Sequence, residues 1–454
     1  MATRPMGRPD FASPPHGEHP LETPPLETSL LETCRARLAA TRARTLALAA
    51  PLGPEDMAAQ AIEEASPTKW HLAHTSWFFE NFVLARFLPG YRPFDPAFGY
   101  CFNSYYESAG ARQPRPRRGL LSQPTLERVI AYRRHIEEAL ERLFDSGLAP
   151  QSEAARLLEL GLQHEQQHQE LILSDILALF AANPLRPAYR DAPPRGVCGP
   201  PEPLRWIGYA GGIVRIGSDA DDHFAFDRDF AFDNETPRHD ALIHPFEIAD
   251  RLVTNAEWLE FIEDGGYGDP AFWLFDGWTT IQREGWEAPA YWERRGGLWL
   301  AMTLEGLRPL EPAAPVVHVS FYEADAFARW AGARLPTEFE WETVAQQEPV
   351  AGNLLESDAL RPLPPAEAFQ GHARQLFGDV WEWTSSAYLP YPAYRRPAGA
   401  IGEYNAKFMC DQHVLRGGGC ATPQSHIRAS YRNFLYARQR WLFAGLRLAR
   451  DVGR

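Results

Sequence analysis

A strongly apolar helix that carries two histidines constrains the fold of this chain more than any other feature. His164 and His168 stand four residues apart within residues 151–182, so both imidazoles project from one helix face, one turn apart. Leucine and isoleucine surround the pair, and an apolar interior accommodates imidazole only when its polar atoms are satisfied. Such pairs also occur by chance, but this setting favours a metal, because neutral imidazole binds Fe, Zn, Cu and Ni.

A second helix offers a candidate third ligand. Residues 66–68, Ser-Pro-Thr, are typical of a helix start, and the helix predicted to continue through Leu88 carries His71 and His74. Three protein ligands leave coordination positions open, as a catalytic metal requires. His74 is therefore a candidate to complete the site that the pair begins.

Charge and composition exclude several classes of protein. The 454 residues carry a formal net charge of −14, which argues against nucleic acid and anionic membrane as partners. No apolar run approaches the roughly eighteen residues of a membrane span, and the N-terminus lacks a basic-then-apolar signal. We therefore expect a cytoplasmic protein. The five cysteines are odd in number and scattered, which is typical of reduced thiols.

The first half of the chain is predicted to be a four-helix bundle. Residues 1–28 are rich in proline, glycine and charge and indicate a disordered leader. The bundle is predicted to occupy residues 29–182. Its four main helices are predicted at about 29–49, 66–88, 124–147 and 151–182, with a short helix at 54–65 and a polar loop at 89–123.

Short strands and glycine turns are predicted to dominate the second half. Residues 183–205 hold many prolines and indicate a linker, and most of the tryptophans lie beyond it. No βαβ rhythm is visible, which favours an irregular α+β domain over residues 206–454. The fold class is therefore α+β multidomain. Its predicted elements include strands at 211–217 and 315–320 and helices at 321–331 and 337–347.

The loop between the histidine-bearing helices carries tyrosines and arginines. Tyr105 and Tyr106 are adjacent, and four arginines follow them. Adjacent tyrosines usually pack, and loop arginines are usually solvated. Near an open metal position, however, a phenol could donate a proton, and guanidinium groups could clamp a carboxylate. The four arginines are Arg112, Arg115, Arg117 and Arg118.

Several motifs together resemble one family. Residues 66–74, the His164–His168 pair, Gly378–Thr384 and Gly445–Leu448 are similar, in the same order, to the ergothioneine-biosynthesis sulfoxide synthases. These are non-haem iron enzymes that join a DinB-like four-helix bundle to a formylglycine-generating-enzyme-like domain. The resemblance covers about residues 30–450. It implies a C-type-lectin-like second domain and an active site in the cleft between the two domains.

The resemblance also implies a ligand set and a catalytic group. His74, His164 and His168 fall on the family's three Fe(II) ligands. His71 precedes the first ligand and is expected to pack or to hydrogen-bond beside it. The tandem tyrosine resembles the cysteine-using branch of the family, in which that loop supplies the catalytic phenol. Either Tyr105 or Tyr106 carries that role.

The substrates implied by the resemblance are hercynine, cysteine and O₂. Arg115 and Arg118 match the arginines that hold the carboxylate of the sulfur substrate. Asn433 and Phe434 fall where the family contacts the trimethylammonium substrate. The implied reaction is an oxidative C–S bond formation that gives hercynylcysteine sulfoxide. It uses four electrons from the substrates and no external reductant, in agreement with the lack of a dinucleotide-binding glycine motif.

Some residues depart from the family pattern near the substrate cleft. Leu435 stands where the γ-glutamylcysteine-using branch has an acidic residue, which favours free cysteine as the donor. The run 435–439 lacks expected prolines, and Gly419 replaces a common serine. The identity of the donor is therefore predicted less firmly by these motifs than the type of reaction.

Three other functions fit part of the sequence. A selenoneine synthase, which joins a selenosugar to hercynine, would have a similar scaffold and iron site. A DinB-like thiol transferase would use Zn or Ni and would need no O₂. A lectin-like binding module would keep the bundle without its chemistry. The sequence leaves the oligomeric state open.

Overall fold

The computed structural model describes residues 26–193, 199–219 and 230–452. Most of the predicted leader, residues 1–25, therefore lies outside the described part of the chain. The first helix begins at Leu26, so the last three residues of the predicted leader, 26–28, are helical instead.

Four long helices form the first domain, as the sequence predicts. Two of them begin with a side-chain cap: Thr125 accepts a hydrogen bond from the amide of Arg128, and Ser152 accepts one from Ala155. These caps satisfy amides that a helix start leaves unpaired. The helices of this half are α1 (Leu26–Ala49), α2 (Pro54–Ala58), α3 (Thr68–Phe79), α4 (Ala85–Phe87), α5 (Phe98–Cys101), α6 (Leu126–Asp145) and α7 (Glu153–Ala182).

The second predicted helix is shorter than expected. Helix α2 ends at Ala58, whereas the sequence pattern predicts a helix over residues 54–65. Ala59 is already extended. The side chain of the next residue, Gln60, is hydrogen-bonded to the backbone of Arg115 and of Gly119. Tertiary contacts with the loop 89–123, which carries the four arginines, thus replace the predicted helix after Ala58.

Helix α3 continues through a π-helical turn, Glu80–Leu84, into α4. The helical path therefore ends at Phe87, one residue short of the prediction. The carboxylate of Glu80 accepts hydrogen bonds of 2.6 Å from the hydroxyls of Tyr91 and Tyr132. The bond from Tyr132 connects the π-helical turn to α6.

Helix α7 lies at the centre of the molecule. It packs against α1 and α3 on one side. On the other side, Gln166 and Glu170 are hydrogen-bonded to Ser425 and Trp381 of the second domain. Nearly every side chain from Leu157 to Ala181 is buried, as expected of a helix that is covered all round.

The second half is an irregular α+β domain, which confirms the predicted fold class. Its strands form four small sheets with the orders β1-β4-β12, β10-β9-β8-β11, β2-β3 and β5-β6-β7. The strands are β1 (Trp206–Tyr209), β2 (Gly212–Ile216), β3 (His239–Ile243), β4 (Phe246–Ala249), β5 (Trp292–Arg295), β6 (Leu298–Thr303), β7 (Gly306–Pro309), β8 (Trp381–Ala387), β9 (Gln412–Arg416), β10 (Asn433–Tyr436), β11 (Ala444–Gly445) and β12 (Ala449–Asp451). The helices are α8 (Asn255–Glu263), α9 (Phe275–Glu284), α10 (Phe321–Trp330), α11 (Glu338–Ala345) and α12 (Gly399–Gly402).

One predicted strand is wrong, whereas two predicted helices of this domain are present. Residues 315–320 make a single bridge, between Thr254 and Pro315, instead of a strand. His318 has a φ of 64°, which the extended chain of a strand does not adopt. Helices α10 and α11 match the predictions at 321–331 and 337–347, and each begins with a capping box.

The four-stranded sheet faces the bundle and carries part of the candidate site. Strand β10 pairs antiparallel with β9, with Asn433 opposite Leu415. Its neighbour β8 begins at Trp381, whose indole donates a 2.5 Å hydrogen bond to Glu170 of α7. The sheet thus places Asn433 and Phe434 beside the helix that carries the histidine pair.

The predicted linker contacts both domains. Between α7 and β1, the described residues form no helix or strand. The hydroxyl of Tyr189 donates to the carbonyl of Leu48 on α1 at 2.7 Å. The next residue, Arg190, donates to the carbonyl of Ala359 in the second domain at 2.8 Å.

The structure adds two observations to the sequence predictions. None of the described helices has the length and apolar character needed to cross a membrane. Four cysteines are free thiols, and the fifth, Cys198, lies outside the described residues. The four free thiols are Cys34, Cys101, Cys410 and Cys420.

Candidate metal centre and substrate cavity

Three buried histidines from two helices come together at one point. His74 lies on α3, and His164 and His168 lie on α7. The Nε2 atom of His164 is 3.1 Å from the Nε2 atoms of both His74 and His168. Nitrogen ligands at right angles, each about 2.1 Å from a metal, would be about 3 Å apart. Two of the three nitrogen pairs have about this spacing, and all three candidate ligand atoms lie within 4.8 Å of one another, so the arrangement can bring three ligands to one metal ion.

All three imidazoles are neutral and able to offer lone pairs. Burial lowers the pKa of each ring below its ordinary value, and that of His164 falls to about 3. The Nδ1 atom of His74 lies 2.6 Å from the carbonyl oxygen of Phe102. Because a carbonyl only accepts, Nδ1 carries the proton and Nε2 has its lone pair free. A neutral imidazole with that tautomer is the form that binds metals.

A buried ion pair lies next to the histidine pair on α7. Glu165 contacts the guanidinium groups of Arg42 at 3.0 Å and Arg133 at 2.8 Å. Burial opposes the charge of Glu165, yet the two arginines hold the pKa of its carboxyl below the usual value. This carboxylate points into the bundle, so it supports α7 and is not among the three candidate ligands.

A cavity of about 720 Å³ opens from the histidine cluster between the two domains. Its size is within the range of small-molecule sites. Of the predicted site residues, seven line it: Tyr105, Arg115, Arg118, His164, His168, Asn433 and Phe434. The other two, His74 and Tyr106, are not among its lining residues and are fully buried beside it.

The two adjacent tyrosines occupy different environments. Tyr105 lines the cavity, with its ring 5.1 Å from that of Phe408. The ring of Tyr106 is enclosed by apolar groups, 4.8 Å from Phe82 and 5.6 Å from Trp77. Burial raises the pKa of both phenols above the ordinary value. Both are therefore protonated at neutral pH, but only the ring of Tyr105 belongs to the cavity wall.

The arginines give one wall of the cavity a positive charge. The guanidinium of Arg118 stacks on Trp70 at 3.5 Å and donates to the hydroxyl of Ser66 at 2.9 Å. Neither Arg115 nor Arg118 has an ion-pair partner among the described residues. Burial, reinforced by Arg115, lowers the pKa of Arg118 well below its usual value. A bound carboxylate would relieve this repulsion.

Aromatic rings form another part of the cavity wall. Phe434 on β10 stacks on Tyr388 with ring centres 4.1 Å apart, and its ring is 5.8 Å from that of Phe408. Asn433 accepts a 2.8 Å hydrogen bond from the amide of Phe434, which fixes its side chain. Such ring faces attract quaternary ammonium groups.

Sequence reasoning missed a hydrogen-bonded group on the cavity wall. Gln167, between the two histidines of α7, accepts from the hydroxyl of Tyr404 and donates to the hydroxyl of Tyr431 at 2.6 Å. All three residues line the cavity. The position of Gln167 inside the motif was a usable signal. No spacing points to the two tyrosines, because they come from separate segments of the second domain.

Two family models match the chain in the order that the fold shows. The DinB superfamily matches residues 37–172. The sulfatase-modifying factor enzyme 1-like domain matches residues 206–372 and 362–452. These matches coincide with the helical bundle and with the irregular α+β domain.

Relatives that match along nearly their whole length decide the family. The hercynine oxygenase of Mycolicibacterium smegmatis is 35% identical over 455 residues, which cover 93% of this chain and 99% of that protein. The chain belongs to the ergothioneine-biosynthesis sulfoxide synthases. The chain is also 34% identical to the hercynine oxygenase of Mycobacterium tuberculosis over 444 residues, 93% of this chain and 99% of that protein. The resemblance found in the sequence is thereby confirmed.

A more distant relative matches the chain in part. Ergothioneine biosynthesis protein 1 of Schizosaccharomyces pombe is 28% identical over 232 residues, which cover 49% of this chain and 28% of that protein. Together with the two oxygenases, it supports an oxygenase of the ergothioneine pathway. The three-histidine cluster is the part of the structure that can hold the metal of such an enzyme.

Proposed function

We propose that this chain is an Fe(II)- and O₂-dependent oxygenase that joins hercynine to cysteine through a C–S bond and forms hercynylcysteine sulfoxide. The observation that carries the proposal is the cluster of three neutral imidazoles at the base of a cavity. The names of the two full-length relatives, both hercynine oxygenases, support the first substrate and the use of oxygen.

The ligand set is compatible with iron and with several other metals. Imidazole nitrogens bind Fe, Zn, Cu and Ni, so the three histidines alone do not select among them. Kinship with oxygenases favours a redox-active metal. Fe(II) bound by His74, His164 and His168 would supply open positions for both substrates and O₂, and a route for electrons from the substrates to O₂.

The walls of the cavity match the carboxylate of the sulfur substrate and a charged group of hercynine. Phe434 and Phe408 offer ring faces to its trimethylammonium group. Arg115 and Arg118 offer guanidinium groups to a substrate carboxylate. The chain itself therefore orients both substrates, and the buried position of the histidines keeps water away from the reacting atoms.

The phenol that faces the substrates is assigned here to Tyr105. This residue lines the cavity, whereas Tyr106 is enclosed between Phe82 and Trp77. Because burial keeps the phenol of Tyr105 protonated, it can donate a proton to a reacting oxygen atom. This donation would favour the sulfoxide over simple oxidation of the thiol.

The lining of the cavity bears on the donor. Leu435, the residue that replaces an acidic one in the γ-glutamylcysteine-using branch, lines the cavity. Among the described lining residues, Glu170 alone has a carboxyl group, and it accepts hydrogen bonds from Trp381 and Thr422. Burial raises its pKa to about 7. A large donor that needs an acidic partner is therefore disfavoured relative to free cysteine.

The scarcity of carboxyl groups among the described lining residues is also compatible with a second donor, a selenosugar. An uncharged selenosugar needs no carboxylate in the cavity. Side chains that can bind hydroxyl groups, such as Asn405, Gln412 and Gln439, are among the residues that line the cavity. A selenoneine synthase is therefore the second candidate function.

Turnover with each candidate donor in turn tests the proposal directly. The protein is freed of metal with a chelator, loaded with Fe(II) without oxygen, and mixed with hercynine and one donor: cysteine, γ-glutamylcysteine or a selenosugar. Oxygen is then admitted, and the products are identified by mass spectrometry. We expect the sulfoxide from cysteine. Turnover with the selenosugar alone would assign the second candidate function instead.

Two controls separate the proposal from a thiol transferase. A DinB-like transferase using Zn or Ni would form product without oxygen, whereas the proposed oxygenase forms none. His164→Ala should abolish product and metal retention. The matched control is His135→Ala, since His135 is a half-buried histidine on α6, outside the three-histidine cluster, that bonds the carbonyl of Arg92. Equal activity of the two variants would refute the metal site.

A further inference from the structure

We infer that His71 and Asp175 are positioning residues that hold His168 in the orientation and tautomer needed to bind the metal. The inference rests on the proposed metal site. It concerns a chain of hydrogen bonds from α7 to α3 and back to α7, in which Nδ1 of His168 lies 2.7 Å from Nδ1 of His71. The other ring nitrogen of His71, Nε2, lies 2.9 Å from a carboxylate oxygen of Asp175.

The direction of each hydrogen bond follows from the two ends of the chain. At one end, Nε2 of His168 lies 3.1 Å from Nε2 of His164, so it must keep its lone pair for the metal. The proton of His168 is therefore on Nδ1 and is donated to Nδ1 of His71. This leaves the proton of His71 on Nε2. It is donated to Asp175, which as a carboxylate accepts only.

The three candidate ligands differ in what holds their second nitrogen. Nδ1 of His74 donates to the backbone carbonyl of Phe102. Nδ1 of His164 is buried without a hydrogen-bond partner among the described residues. Only His168 is linked to a charged group, through a neutral imidazole. A hydrogen bond of this kind fixes the ring and makes its free nitrogen a stronger donor to a metal.

Asp175 also makes a hydrogen bond across the boundary between the two domains. The oxygen that His71 contacts accepts a 2.7 Å hydrogen bond from the amide of Ser66, just before α3. The other oxygen accepts a 2.9 Å hydrogen bond from the indole of Trp441 in the second domain. The carboxylate is 4% exposed. A residue of the second domain therefore helps to fix a candidate metal ligand of the bundle.

The inference is tested by metal affinity, with no need for turnover. The metal-free protein is titrated with Co(II) and then with Fe(II) against a chelator, and the visible absorption of Co(II) reports the ligand geometry. Asp175→Asn removes the charge and one acceptor with little change of shape. We expect its metal affinity to fall by about tenfold or more, with a changed Co(II) spectrum.

A second variant separates the two links of the chain. His71→Asn can still place an amide oxygen near Nδ1 of His168, but it cannot reach Asp175. Its affinity should fall less than that of a His71→Phe variant, which removes both hydrogen bonds. Equal losses for the two would mean that an acceptor beside Nδ1 of His168 contributes nothing, and would overturn the assigned direction of that hydrogen bond.

A matched control and a folding measurement complete the test. Glu159→Gln alters another buried carboxylate of α7, which lies before the histidine pair and pairs with Arg37 of α1. It should bind metal like the original protein. Circular dichroism and thermal melting of each metal-free variant identify those that do not fold. If Asp175→Asn folds and binds metal normally, the inference is wrong; if the unaltered protein binds no metal, the proposed function fails instead.

Discussion

Arg118 is held by neutral groups, which leaves its charge available to a ligand. It stacks on Trp70 and donates to Ser66 at 2.9 Å and to Ser104 at 3.2 Å. Its planar group makes these contacts and still presents N–H groups to the cavity, which a lysine cannot do.

Arg118→Lys should therefore weaken binding of the sulfur substrate, cysteine, through its carboxylate. We expect KM to rise by about tenfold, which corresponds to about 1.4 kcal/mol, with a smaller change of kcat. Steady-state kinetics with hercynine and cysteine varied in turn measure both. Arg117→Lys is the control, because Arg117 is exposed on the same turn and is not among the cavity-lining residues. Equal KM values for the two variants would contradict the role.

The tyrosine pair gives a prediction about products. Tyr105→Phe should lower the yield of sulfoxide and increase cysteine sulfinate, the product of simple thiol dioxygenation, because it removes a phenol from the cavity wall. Tyr106→Phe removes a hydroxyl that does not line the cavity and should leave the ratio of the two products unchanged. Quantitative mass spectrometry of both products measures the ratio. The reverse result would assign the role to Tyr106.

Single residues were predictable where a spacing or a motif carries the chemistry. The pair His164 and His168 could be found because a helix converts a four-residue spacing into a shared face. Gln167 lies between them, but its partners Tyr404 and Tyr431 reach it only through the fold. Long-range contacts of this kind leave no local pattern in the sequence.

At the scale of elements, α7 depends on charges that are buried with it. Glu165 is fully buried between Arg42 of α1 and Arg133 of α6. Removing one partner leaves the remaining charges without compensation in a poorly solvated interior.

Glu165→Gln should therefore destabilise the metal-free bundle by about 3 to 5 kcal/mol. The control is Glu141→Gln, since Glu141 pairs with Arg35 between α6 and α1 at the surface. That variant should cost less than about 1 kcal/mol. Denaturant unfolding followed by far-ultraviolet circular dichroism compares them. Similar midpoints would show that the buried pair adds no stability.

Helices were easier to predict than strands in this chain. The apolar periodicity of α7 and the capping residues of α10 and α11 are local signals. The predicted helix at 54–65 ended early because Gln60 bonds the arginine loop. The predicted strand at 315–320 is absent because His318 turns the chain with a positive φ. The first error comes from a contact between distant segments, and at the second His318 is hydrogen-bonded to the distant carbonyl of Leu442.

At the scale of the whole molecule, stability depends on histidines that stay neutral when buried. Burial lowers the pKa of His318 to about 3, whereas that of the unfolded chain is about 6.5. As pH falls below about 6.5, the unfolded state gains a proton that the folded state does not take up. The stability present at neutral pH is therefore lost as the pH falls towards 3.

His318→Asn should reduce this acid sensitivity. Asn accepts a positive φ, and its amide can replace the hydrogen bond that His318 makes to the carbonyl of Leu442. For a difference of one bound proton, the unfolding free energy changes by up to about 1.4 kcal/mol per pH unit. Between pH 6.5 and 5, the variant should lose about 2 kcal/mol less unfolding free energy than the original protein. Denaturant unfolding at both pH values measures the difference, and parallel losses would contradict it.

The two-domain architecture was predictable, but the joint between the domains was not. The motifs that identify the family occur in both halves and in a fixed order, so they predict the pair of folds. The contacts of Trp381 with Glu170 and of Trp441 with Asp175 cross the boundary. These residues are far apart in the chain, and nothing in their local sequence indicates their partners.

The position of α7 between both domains limits how the length of this chain can change during evolution. Insertion of one residue between Gln163 and His164 would rotate the rest of the helix by about 100°. It would then turn the histidines away from His74 and carry Asp175 away from His71 and Trp441. Loop 89–123 could accept insertions at its exposed turns, but α7 has to keep its residue count.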